Sequence, residues 1–130
     1  MSVELTLLAF SVGLGLVHVV ATGMCVTLQD GLAVSISPRD DAPALRGAYG
    51  RVLRSYRNFM ETFAFFLAAV LMAETLDRHN DLTAWGAHLY VWGRLAYIPL
   101  YVAGVPVIRS LVWAIASLGI VLVLAGAALG

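Results

Sequence analysis

Eight arginines balance eight acidic residues in this 130-residue chain, giving zero net charge, with 61% hydrophobic and only 12% charged residues. Soluble domains carry about 25% charged residues. At half that supply, and with a mean hydropathy of +0.87, the composition excludes water as the main solvent and implies lipid. A neutral chain without lysine offers no nucleic-acid footprint either.

A first helix is expected over residues 3–28. No charge stands between Leu5 and Leu28, enough to cross the hydrocarbon core. The run lacks a basic leader and is too long for a signal h-region, so it reads as a retained helix. Gly13, Gly15 and Gly23 permit close helix approach. Cys25 is the single cysteine, which excludes an internal disulfide and a multi-cysteine metal site. His18, His79 and His88 show no metal-ligand spacing and read as hydrogen-bonded or interfacial side chains.

Residues 29–43 form a polar loop broken by Gly31, Pro38 and Pro43. Asp40 or Asp41 is expected to cap a second helix over 44–76. Only twelve uncharged residues separate Glu61 from Glu74, whereas a crossing takes about 20. The crossing must therefore include Asn58 and Glu61. At 1.5 Å per residue this helix is about 50 Å long. Its first turns, with Arg46, Arg51, Arg54 and Arg57, should project beyond the hydrocarbon.

A third helix over 82–104 carries Arg94 near its middle. An arginine at that depth costs roughly 2.5–3.5 kcal/mol, so it demands a partner. Trp85, Trp92 and Trp113 read as belt or packing residues. Gly104–Pro106 turns the chain into a fourth helix over 108–129, headed by Arg109 and uncharged from Ser110 to Gly130. The fold class is all-α: an integral membrane four-helix bundle in which residues 1–130 make one domain.

The first and third connections with their flanks hold Arg39, Arg46, Arg51, Arg54, Arg57 and Arg109, against Arg78 alone in the second. The positive-inside rule then places those connections in the cytoplasm and both termini outside. Basic residues that are all arginine, with abundant Ala, Leu, Val and Gly, fit a GC-rich bacterial genome and hence an inner-membrane location.

On the second helix, Arg51, Arg54, Asn58 and Glu61 share an arc of about 80°. On the third, Tyr90, Arg94, Tyr97 and Tyr101 share an arc of about 60°. Lipid satisfies neither stripe, so each must face the other or a wet cleft. A Glu61–Arg94 pair acting as interhelical glue is one reading. The run of guanidiniums, an amide, a carboxylate and phenols is oversized for glue. It favours a site for an anionic, carboxylate-bearing ligand.

Arg51-Val-x-Arg54-x-x-x-Asn58-x-x-Glu61, then Arg94-x-x-Tyr97-x-x-x-Tyr101, then Gly104-Val105-Pro106-x-x-Arg109-Ser110, resembles the MAPEG family. These are membrane-associated proteins of eicosanoid and glutathione metabolism. The resemblance covers residues 46 to 113, together with length and helix count. It implies a homotrimer holding glutathione, as co-substrate and without a metal, at the subunit interface near the cytoplasmic face. By the resemblance, Arg51, Arg54 and Arg57 bind the tripeptide's carboxylates, while Asn58 and Glu61 supply the family's amide and carboxylate. Arg94 pairs with the site carboxylate, and Tyr97, Tyr101 and Ser110 line the pocket. Arg109 stabilises the thiolate as the catalytic residue.

The resemblance therefore implies a microsomal-type glutathione transferase or peroxidase acting on lipophilic electrophiles that arrive through the lipid. The alternative is a non-catalytic lipid-binding or scaffold relative. Ala64 stands where the eicosanoid enzymes often have proline, and the Tyr101–Arg109 spacing differs from theirs. The spacing suits the bacterial branch, and both departures point away from leukotriene or prostaglandin synthesis. A small multidrug exporter would need an acid inside the first span, whereas Glu4 lies at its edge.

Overall fold

A computed structural model describes residues 1–130 as five helices: α1 (Val3–Asp30), α2 (Leu32–Ser35), α3 (Gly47–Thr75), α4 (Asp81–Val102) and α5 (Pro106–Leu129). α2 is a single turn inside the segment expected to be a loop. Three helices, α1, α3 and α5, are long and apolar enough to cross a membrane. Only 26 of the 130 residues are buried, so most of the apolar side chains face outward. That surface suits lipid or further chains rather than water.

Each boundary has a local cause. Ser2 caps α1 by accepting from the Leu5 N–H at 3.1 Å. Gly31, at φ 90°, ends the helix. Neither Asp40 nor Asp41 caps α3, which corrects the expectation. Helix α3 begins at Gly47, with Arg46 in extended conformation as its N-cap. The delay follows from the end of α1. The Gln29 side chain donates to Ala44 O at 3.2 Å and accepts from Arg46 N at 2.9 Å, holding that stretch extended. Asn80 and Thr83 make a reciprocal capping box at the start of α4. Pro106 opens α5 at a position where its missing N–H costs nothing.

α4 and α5 make the most extensive helix pair, and small residues let their backbones meet. A Cβ on Gly86 would stand 2.6 Å from Gly119 O, and one on Gly93 would stand 2.9 Å from the Ala116 Cβ. α3 packs on α1, α4 and α5. The core lies where these helices meet, around Phe66, Val70, Tyr90 and Val123, none of which is exposed at all.

The antiparallel path gathers the ends of the helices into two sets. The end of α1, the start of α3, the end of α4 and the start of α5 lie together at an arginine-rich end. The start of α1, the end of α3, the start of α4 and the end of α5 form an acidic end.

Candidate functional site

The polar stripe of α3 sits at the edge of that helix's buried face. Ser55, Phe59 and Phe66 define the face. At 100° per residue, Arg51 and Asn58 stand about 80–100° from Phe59, whereas Arg54 and Glu61 stand about 140–160° away. The nearer pair reaches α4. Arg51 Nε donates to Val102 O at 2.7 Å, satisfying a terminal carbonyl. Asn58 Oδ1 accepts from Arg94 Nη1 at 2.7 Å. The farther pair, with Arg57, is exposed.

The expected Glu61–Arg94 pair is therefore absent within one chain. The rotation of α3 turns Glu61 outward and gives Arg94 an amide in place of the carboxylate. Arg94 is 1% exposed. Its guanidinium carbon lies 4.4 Å from the Tyr97 ring and 5.6 Å from the Phe59 ring, contacts through which the aromatic faces stabilise the cation. Its Nε and Nη2 have no hydrogen-bond partner.

Next to this buried cation a cleft of about 190 Å³ opens, lined by Asn58, Tyr97, Tyr101, Arg109, Ser110 and Trp113. Tyr97 and Tyr101 hold their rings 5.4 Å apart between centroids and tilted by 46°. The Arg109 guanidinium lies over the Tyr101 ring at 4.6 Å, held there because α5 starts directly after the Gly104 turn. Ser110 donates to Pro106 O at 3.2 Å within the first turn of α5. One wall of the cleft thus comes from α3, one from α4 and one from α5. Arg54, Arg57 and Glu61 do not line it; they lie on the outward side of α3 at the same end.

No arginine in the chain lies within 4 Å of a carboxylate; the only basic side chain that does is His79. The arginine-rich end, which also carries Asp30, Asp40, Asp41 and Glu61, thus offers guanidinium donors that no carboxylate of the chain pairs with.

A family model described as the MAPEG family matches residues 5–129. The chain belongs to that family. It is a membrane protein of the glutathione and eicosanoid group, and the cleft lies among the motif residues of this MAPEG chain. No curated protein and no solved structure matches it.

His18 is hydrogen-bonded and interfacial, as expected, whereas the cluster at the opposite end of this MAPEG chain escaped the sequence reading. His18 packs on Phe59 at 4.9 Å between rings, with Nδ1 2.9 Å from Leu14 O and Nε2 buried without a partner. At the acidic end Glu4, Glu74, His79 and Thr83 converge, although they are up to 79 residues apart in sequence. Glu4 was the available signal. An acid in the first turn of a helix is ordinary, but one that is 3% exposed needs partners.

Proposed function

We propose that this chain is a glutathione-dependent membrane enzyme of transferase or peroxidase type, acting on lipophilic electrophiles that reach it through the bilayer. A single observation carries the reading. Six arginines gather at one end of the bundle without a carboxylate partner, beside a cleft lined by an amide and two phenols. Glutathione has two carboxylates and one ammonium. Arg51, Arg54 and Arg57 suit the carboxylates through forked, charge-assisted hydrogen bonds, and Glu61 suits the ammonium.

In this proposal α4 is the fourth crossing, since its 22 residues span about 33 Å at helical rise. The arginine-rich end faces the cytoplasm and both termini lie outside, because positive flanks stay on that side. A homotrimer would bring a neighbouring copy against the outward side of α3, joining Arg54, Arg57 and Glu61 to the cleft of the adjacent chain.

The chemistry asked of the site is modest. A free thiol titrates near 8.5, so little thiolate exists at neutral pH. A guanidinium at the sulfur stabilises the thiolate and makes it the attacking group. Arg109, above Tyr101 at the cleft mouth, is the residue assigned that role.

The test is glutathione binding by the detergent-solubilised protein, followed by equilibrium dialysis. Arg54→Ala should weaken it at least tenfold. Unchanged affinity in that variant would overturn the reading, and bound lipid with no affinity for glutathione would favour a lipid-binding scaffold instead.

A further inference from the structure

At the acidic end, three side chains from three elements present ligand atoms that all lie within 4.8 Å of one another: Glu4 on α1, Glu74 on α3, and His79 in the α3–α4 connection. The Glu4 carboxylate is only 3% exposed. Its Oε1 accepts the Thr83 hydroxyl. Its Oε2 accepts no hydrogen bond and lies 3.3 Å from His79 Nδ1. The nearby basic side chain is committed elsewhere, since Arg78 donates to Ala127 O and Ala128 O at the end of α5. A carboxylate oxygen of a buried residue thus points at an imidazole nitrogen with no arginine paired to either.

The geometry points to a site for a divalent transition-metal ion of the zinc class, bound by Glu4, Glu74 and His79. One imidazole and two carboxylates suit such an ion, with a fourth position left for water. With bonds of about 2.0 Å, two ligand atoms of a tetrahedral site stand about 3.3 Å apart, which is the separation of Glu4 Oε2 and His79 Nδ1.

The surroundings also fit. With Nδ1 on the ion, the opposite ring nitrogen faces Glu74 Oε1 at 3.8 Å and Asp77 Oδ1 at 3.9 Å, so its proton points toward carboxylates. A carboxylate behind a ligating histidine is the usual orienting partner. Thr83 and Ser2 hold Glu4 and Glu74 by hydroxyl hydrogen bonds. His79 is one-third exposed, which leaves an entry path from water. The ion would clamp the start of α1 to the α3–α4 connection, at the far end of the bundle from the arginine cleft.

The experiment uses the full chain in detergent, free of affinity tags and dialysed against chelator, then titrated with Zn2+ by calorimetry and with Co2+ by visible absorption. The expected result is one ion per chain, a tetrahedral Co2+ spectrum, and a Tm raised by Zn2+ but not by Mg2+. Glu4→Gln and His79→Gln should each weaken binding at least tenfold, and Asp81→Asn should leave it unchanged. If Glu4→Gln fails to fold, Glu74→Gln on α3 serves in its place. Absence of saturable binding, or binding retained in both Glu74→Gln and His79→Gln, would overturn the proposal.

Discussion

The two ends of the bundle treat charge in opposite ways. At the acidic end most polar groups are held within the chain: Glu4 by Thr83, Glu74 by Ser2, Asn80 by Thr83 and Gly126, Arg78 by the last carbonyls of α5, with only the Glu4–His79 contact left open. At the arginine-rich end Arg94 leaves two nitrogens unpartnered, and Arg54, Arg57 and Glu61 face outward. A helix end whose groups are paired internally holds the fold together. One whose groups are not paired stores capacity for something outside the chain, at a cost in stability.

Substitutions can break or sharpen that contrast. The largest effect is expected at Arg94. Replacing it by Met keeps an unbranched side chain in the core and removes a buried charge that no carboxylate contacts within 4 Å. Arg94→Met should raise stability by about 1–3 kcal/mol, measured by thermal unfolding in detergent. A loss of stability would mean that the Asn58 and Tyr97 contacts outweigh the burial cost and that this end, too, is built for folding.

Next comes Asn80 at the opposite end, which caps α4 and also donates to Gly126 O at 3.1 Å. Asn80→Ala should lower stability by about 1 kcal/mol; no change would weaken the view that this end is structural. The smallest effect is expected at Arg57, exposed and without partners. Arg57→Ala should move stability by less than about 0.5 kcal/mol, and a larger loss would expose a packing role for its stem.

Much of this was legible before any coordinates. The uncharged runs bracket α1 and α5, the depth of Arg94 demanded a partner, and the turn at Gly104–Pro106 put Arg109 at the head of a helix. The partner of Arg94 was misread because two residues three apart on one stripe differ by about 60°, and which of them points inward depends on how the helix is rotated in its neighbours. The cap of α3 was misread because Gln29, on another helix, decides where α3 starts. Neither fact is local.

Composition and the positions of charge alone determined the solvent, the helical architecture and the polar stripes, because burying charge in lipid is costly enough to leave a mark on the sequence itself. Helix rotation, the separation of a self-paired end from an unpaired one, and the meeting of Glu4 with His79 were decided only by tertiary packing. Close contacts such as Gly86 on Gly119 set those angles, and contact between distant segments leaves no period or spacing along the chain from which it can be read.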